Sequence, residues 1–143
     1  MLRAILLSIA FKLIMAKVTV HRIAEAIAHV ESRGNYAAVG PATRTGDRAY
    51  GRYQVMGANV VAWSQDILGR VVTVQEFLAT PQIQDTIARA KFAEYFARYK
   101  TVSDVASVWF SGRPLARAGQ SADVTGTTVP DYVQRVLDAY NRA

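Results

Sequence analysis

The sequence predicts a mainly α-helical protein with one domain, and three observations support this. The chain has 143 residues and 15.7 kDa, which suits a single domain. Several segments carry apolar residues at helical spacing, and none shows the apolar–polar alternation of a half-buried strand. The composition is 51% hydrophobic and 20% charged, as expected of a folded globular chain. No cysteine is present, which excludes disulfides, thiolate metal sites and a cysteine nucleophile.

The first 17 residues form the most apolar segment, in which Arg3, Ser8 and Lys12 are the only charged or hydroxyl side chains before Lys17. We expect an apolar helix over residues 1–17, followed by a short polar joint over residues 17–21. Its apolar run covers roughly 20 Å of a hydrocarbon core of about 30 Å, which argues against a span. Three interpretations stay open: docking on a protein or lipid surface, packing on its own domain, or an uncleaved signal.

Residues 20–32 predict an amphipathic helix with Ile23, Ile27 and Val30 on one stripe, and Gly34 ends it. Glu31 follows Ile27 by about one turn, so it lies at the edge of the apolar stripe. Burial without a cation would raise the pKa of such a carboxyl, which suits a general acid. The alternative is a hydrated glutamate at a helix end.

The middle of the chain alternates irregular segments with short helices. Residues 35–57 lack a helical period, and we expect an irregular region with a small hairpin near residues 40–56. Asn59 is the expected cap of a helix to residue 68, and Thr73 with Glu76 forms a capping box before another helix. Thr80 before Pro81 predicts the start of the longest helix, over residues 81–99.

The C-terminal part predicts two more helices. Ser103 or Asp104 caps the first, which ends at Phe110, and residues 111–128 read as a loop rich in Gly, Ser, Thr and Arg. Residues 130–140 predict the last helix, with Tyr132 on its apolar face.

The net charge of the chain indicates which classes of partner it can bind. The formal net charge of +6 favours an anionic partner: nucleic acid, an acidic membrane surface or an anionic cell-wall polymer. The basic residues are scattered over all helices, so we expect no nucleic-acid partner. His21 and His29 lie on the polar side of their helix without acidic neighbours at ligand spacing, so we expect neither a metal nor another cofactor.

Three motifs in order resemble the soluble lytic transglycosylase family, whose members cleave peptidoglycan and have a lysozyme-like fold. The first is Glu31-Ser32 at a helix end, followed by residues 34–38, Gly-Asn-Tyr-Ala-Ala. The second is residues 50–56, Tyr-Gly-Arg-Tyr-Gln-Val-Met, and the third is residues 132–137, Tyr-Val-Gln-Arg-Val-Leu. Together they extend over residues 20–140. The resemblance implies a lysozyme-like domain over residues 18–143.

The resemblance also implies roles for individual residues. Glu31 would be the acid and then the base that cleaves between N-acetylmuramic acid and N-acetylglucosamine, giving a 1,6-anhydro product. Gln54 and Tyr132 would orient Glu31 and the sugar. Residues that would contact the substrate or line the cleft are Ser32, Tyr50 and Tyr53, although Tyr53 is equally well explained as core.

One motif departs from the family. Residues 108–112 read Val-Trp-Phe-Ser-Gly where the family has Ala-Tyr-Asn-x-Gly, so Phe110 replaces the sugar-binding asparagine. Ser111 is the candidate to replace one of its hydrogen bonds.

Two alternatives to this function stay open. A hydrolysing lysozyme needs a second carboxylate, and Asp47 is the acidic residue between the first two motifs. A non-catalytic wall-binding or assembly component would keep the fold without turnover. The expected setting is the periplasm or cell wall, with the protein carried in a phage virion or attached to an envelope machine, whose proteins or lipid would contact residues 1–16.

Overall fold

The computed structural model describes all residues, 1–143, and it is mainly helical. Helices contain 67% of the residues, and strands together with isolated β-bridges contain 5%, which confirms the predicted mainly helical class. The elements in chain order are α1 (Leu2–Ser32), β1 (Ala49–Tyr50), β2 (Val55–Met56), α2 (Gly57–Leu68), α3 (Val74–Ala79), α4 (Pro81–Tyr99), α5 (Val102–Ser111), α6 (Leu115–Ala118) and α7 (Val129–Arg142).

The first helix is continuous, so the predicted polar joint over residues 17–21 is wrong. No Gly or Pro interrupts residues 2–32, and the Thr19 hydroxyl donates back to the Met15 carbonyl oxygen at 2.9 Å, inside the helix. Polar residues alone do not break a helix when the backbone bonds are kept. The helix ends where Arg33 adopts φ 54° and Gly34 N–H donates to the Ala28 carbonyl oxygen at 3.1 Å.

The two parts of α1 differ in their surroundings. Residues 23–28 are mostly buried, with Ile23 and Ile27 fully so, whereas residues 1–15 are all exposed. By length and composition α1 meets the requirements of a membrane-crossing helix, since an 18-residue window has a mean hydropathy of 1.7 and is 0% buried. The apolar run between Arg3 and Lys17 is still only about 20 Å long, but the helix continues through Lys17 without a break, and long basic side chains at its ends can reach toward the headgroups.

The core lies where the inner part of α1 meets α4, α5 and α7. Phe92 of α4 is fully buried, and its ring lies 4.5 Å from Trp109 and 5.8 Å from Tyr53, centroid to centroid. Ile87 is also fully buried, so α4 is central as its sequence predicts.

Some of the observed helix caps are the ones predicted from the sequence, and others are not. Thr73 accepts from Glu76 N–H at 3.1 Å, as predicted. The helix expected to start at Asn59 begins at Gly57 instead, and the cap of α5 is Thr101. The predicted loop over residues 111–128 contains the single turn α6.

The hairpin falls inside the predicted region, with Ala49 paired to Met56 and Tyr50 to Val55. Its turn requires glycine at Gly51, where φ is 78° and an added Cβ would overlap the Gln84 amide. The Gln84 Oε1 atom accepts from Arg52 N–H at 2.8 Å, which fixes the turn against α4.

Candidate functional site

Glu31 lies in the last turn of α1, partly buried and open to a cleft. The Tyr132 hydroxyl of α7 donates to Glu31 Oε2 at 3.3 Å. Tyr132 is itself buried, and the Phe110 ring stacks on it with centroids 4.5 Å apart and planes 19° apart. The first and third sequence motifs therefore meet at one carboxyl group.

The cleft has a volume of about 480 Å³. It is lined by the end of α1, the hairpin region, α5 and the loop before α7: Glu31, Pro41, Thr43, Ala49, Gln54, Met56, Trp109, Phe110, Asp123, Val124 and Thr125. The first two motifs and the departing stretch at residues 109–110 line this cleft. The third motif is outside the lining and reaches the cleft only through the hydrogen bond from Tyr132 to Glu31.

No Lys, Arg or His lies within 4.0 Å of the Glu31 carboxylate. Burial raises the pKa of Glu31 to about 8. The hydrogen bond from Tyr132 opposes that rise in pKa, and the negative charge of Asp123 adds to it. Glu31 therefore holds a proton at neutral pH and can give it to a group bound in the cleft.

Asp123 is a cleft residue that the sequence analysis missed. Its Oδ1 atom accepts from the backbone N–H groups of Thr125 and Thr127 at 2.8 and 2.9 Å. It also accepts from the Thr125 hydroxyl at 2.6 Å. These hydrogen bonds hold the pKa of Asp123 below its usual value despite some burial, so it is ionised. The pattern Asp-x-Thr-x-Thr is typical of such a side-chain turn, but it does not reveal that the turn faces Glu31.

Gln54, expected to orient Glu31 and the sugar, lines the cleft, but no hydrogen bond joins it to Glu31. Its Nε2 atom donates to the Gly51 carbonyl oxygen at 3.0 Å. Its backbone has φ 55°, which is uncommon for a residue other than glycine and is often found at functional positions.

Ser32 and Tyr53 do not line the cleft. The Ser32 hydroxyl donates to the Arg52 carbonyl oxygen at 2.7 Å and thereby fastens the end of α1 to the hairpin. Tyr53 is fully buried, and its hydroxyl donates to Asp85 Oδ1 at 2.7 Å. Its carbonyl oxygen accepts from Trp109 Nε1–H at 3.1 Å, which holds the indole at the cleft wall.

Three further candidates also lie outside the cleft lining. The two oxygens of Asp47 accept from the N–H groups of Arg48 and Ala58 at 2.8 and 3.1 Å, at the start of α2. The Ser111 hydroxyl donates to the Ser107 carbonyl oxygen at 2.8 Å. Tyr50 is a half-buried residue of β1. Asp47 and Ser111 thus have local structural partners.

A second cluster of ionisable groups lies beside the hairpin. Arg52 donates to Glu25 Oε1 and Oε2 at 3.2 and 2.7 Å and to the Tyr53 hydroxyl at 2.7 Å. The Arg52 guanidinium lies 3.7 Å from Asp85 of α4. This cluster, which we call the Arg52 cluster, joins α1, the hairpin and α4.

The structure places no three His, Cys, Asp or Glu side chains where they could hold a metal ion, and His21 and His29 are exposed. The chain matches no protein-family model, no curated protein and no solved structure. Its chemistry therefore rests on the geometry of the cleft.

Proposed function

We propose that this chain is a peptidoglycan lytic transglycosylase with a lysozyme-like fold. The observation that carries the proposal is the place of the Glu31 carboxyl, which faces an open cleft, has no cation beside it and accepts a hydrogen bond from Tyr132. Burial there raises its pKa to about 8, which suits a general acid. The motif order described above supports the same function. The substrate is the glycan strand, cleaved between N-acetylmuramic acid and N-acetylglucosamine.

In this mechanism Glu31 gives its proton to the bridging oxygen as the C1–O bond breaks and positive charge develops at C1 of the muramic acid. The acetamido group of the same sugar stabilises that charge. The ionised Glu31 then takes the proton from the 6-hydroxyl while O6 bonds to C1. A 1,6-anhydro ring results, Glu31 is protonated again, and neither water nor a second carboxylate takes part.

Aromatic side chains fit the role of sugar-binding walls. Trp109 and Phe110 line the cleft, and both carry faces on which a sugar ring can pack. Phe110 also holds Tyr132 by stacking. Where the family has an amide that hydrogen-bonds the sugar, this chain would use apolar contact. We place the activity at the bacterial cell wall, with the protein carried by a phage virion or an envelope machine.

A hydrolysing lysozyme is the second candidate, and Asp123 rather than Asp47 favours it. Asp123 is ionised, lines the same cleft as Glu31, and has one oxygen, Oδ2, without a hydrogen-bond donor in the protein. A carboxylate opposite the acid can activate a water molecule. The product would then carry one water more than the anhydro form.

The test is digestion of purified peptidoglycan followed by mass spectrometry of the released fragments. We expect anhydro ends from the full-length protein and at least about a hundredfold loss of rate in Glu31→Gln, which keeps the shape but cannot deliver the proton. Glu94→Gln is the matched control, because Glu94 is exposed on α4 and should leave the rate unchanged.

Two outcomes would contradict the proposal. A Glu31→Gln variant that lyses at the full rate would show that Glu31 is not the acid. A full-length protein that binds peptidoglycan without any turnover would instead support a wall-binding component.

A further inference from the structure

The outer part of α1, residues 2–18, projects from the domain, and only its last turn or two borders α4. We call it the outer segment. Its large side chains are exposed, with Leu2 at 71%, Leu7 at 70% and Phe11 at 64%. Soluble monomers rarely expose so large a continuous apolar surface.

Apolar residues occupy two opposite sides of the outer segment. At 100° per residue, Ile9 and Leu13 project on one side, and Leu7 and Phe11 project about 160° away on the other. A helix that docks in a protein groove or lies flat on a membrane needs one apolar stripe and one polar face. A helix that is apolar on opposite sides is suited to surroundings that are apolar on all sides, which is the condition inside a bilayer.

The length agrees with insertion across a bilayer. The outer segment has 17 helical residues, about 26 Å at about 1.5 Å per residue, which is at the short end of the range of about 17–25 residues that spans a hydrocarbon core. Arg3 and Lys17 lie near its two ends, where long basic side chains reach the headgroups. Lys12 is about 8 Å along the axis from Lys17, so its ammonium can extend toward the same interface.

A basic groove lies where the outer segment enters the domain. It has a volume of about 670 Å³ between α1 and α4, with Leu13 and Phe96 among its apolar lining. Its basic residues are Lys17, His21, Arg89 and Lys100. The Nε atom of Arg89 is buried and has no acceptor within the protein. An apolar floor with basic groups around it fits the acyl chain and phosphate of an anionic phospholipid.

We propose that the outer segment inserts across a lipid bilayer and that the groove between α1 and α4 receives an anionic phospholipid at the membrane surface. Because α1 is one helix, the domain is joined to the membrane without a hinge. Glu31 follows residue 18 by 13 positions, so its carboxyl lies roughly 20 Å beyond the apolar segment along the helix axis. The proposal does not depend on the activity proposed above.

The test is flotation of the full chain with phosphatidylcholine vesicles, with and without phosphatidylglycerol. We expect binding to both, and at least about a hundredfold weaker binding for Leu7→Asp combined with Phe11→Asp, because two carboxylates would enter the hydrocarbon. Val61→Asp with Val71→Asp is the matched control, since both valines are exposed on the domain away from the outer segment. Circular dichroism verifies that each variant is folded.

The phosphatidylglycerol arm tests the groove. Lys100→Gln should lower the gain from anionic lipid about fivefold and leave binding to neutral vesicles unchanged, whereas the exposed Arg117→Gln should alter neither. Three results would overturn the proposal. They are equal flotation of the two double variants, a lipid-free oligomer of defined size in sedimentation, and recovery of the chain from cells without residues 1–16.

Discussion

Glu25 and Glu31 lie on the same helix, less than two turns apart, yet their surroundings give them opposite protonation. Glu25 belongs to the Arg52 cluster, where two hydrogen bonds from the guanidinium hold its pKa below the usual value. Glu31 faces the cleft without a cation, and burial raises its pKa to about 8. One region of the domain thus pairs its carboxylates with a cation, whereas the cleft leaves its carboxyl group without one.

The difference shows how the fold separates structural from chemical roles. In the Arg52 cluster one guanidinium binds Glu25 and Tyr53 and lies beside Asp85, which holds the hairpin to α1 and α4. The guanidinium of Arg89 lies 3.9 Å from Glu25, so two cations face the two carboxylates. In the cleft the carboxyl has only the Tyr132 hydroxyl as a direct hydrogen-bond partner. A proton takes the place of the absent cation, and that proton is available for transfer.

Replacing Arg52, the cation at the centre of the Arg52 cluster, should give the largest loss of stability. Arg52→Met leaves Glu25 and Asp85 without their shared partner, and we expect a loss of about 2–4 kcal/mol in the free energy of unfolding, since Arg52 is mostly buried while Glu25 is 40% exposed. The measurement is urea unfolding of the full chain in non-ionic detergent.

Arg70→Met is the matched control for this change. Arg70 also makes two hydrogen bonds to a glutamate, Glu76, but both side chains are exposed, so the expected loss is at most about 1 kcal/mol. Equal losses in the two variants would show that the Arg52 cluster does not hold the domain together.

Changing the pH should affect the two regions in opposite directions. Glu25 has a lowered pKa in the folded state, so its stabilisation is present above the unfolded pKa and is lost as the pH falls. Glu31 has a raised pKa, so the folded state gains a proton relative to the unfolded state, and stability is lost as the pH rises from about 4.5 to about 8. Lysis should fall about tenfold per pH unit above 8. Thermal unfolding and lytic rate, measured from pH 5 to 9, check both.

Two variants separate the contributions to this pH dependence. In Glu31→Gln the thermal midpoint should no longer show the decline that Glu31 causes between pH 5 and 8. Tyr132→Phe removes a hydrogen bond that favours the ionised carboxylate, so the alkaline fall in lytic rate should move to higher pH. If the pH dependence is the same in both variants as in the unaltered protein, the group that titrates is not Glu31.

Much of the fold could be predicted from local patterns. The Thr73 cap of α3 and the Thr80-Pro81 start of α4 are local signals, and both are confirmed. The other half of the predicted capping box does not form, because the Glu76 carboxylate accepts from Arg70 instead. The position of Glu31 at the edge of an apolar stripe follows from helical spacing, which is also local. The continuity of α1 could not be predicted, because residues 17–21 are polar enough for a joint and yet compatible with a helix.

The rest of the cleft depends on contacts between residues distant in sequence. Asp123 lies in a loop without periodicity, and nothing local indicates that this loop faces the end of α1. Asp47 lies between two motifs and Ser111 lies in the departing stretch, and both have suitable chemistry, but nearby backbone groups use their polar atoms. Sequence spacing identifies candidates, whereas the hydrogen bonds decide which of them remain available to a ligand.

The smallest expected effect concerns the other cleft carboxylate. If Glu31 works alone, Asp123→Asn should keep the lytic rate within about tenfold, because the asparagine Oδ1 atom can still accept the loop N–H bonds. It should also move the alkaline fall to slightly lower pH, since the negative charge that raises the pKa of Glu31 is removed. Asp47→Asn, outside the cleft lining, is the control and should keep most of the activity. Asp123 would be the base of a hydrolase if two results were obtained together. Asp123→Asn, but not Asp47→Asn, would lose more than about a hundredfold in lytic rate, and the unaltered protein would release products that contain the added water.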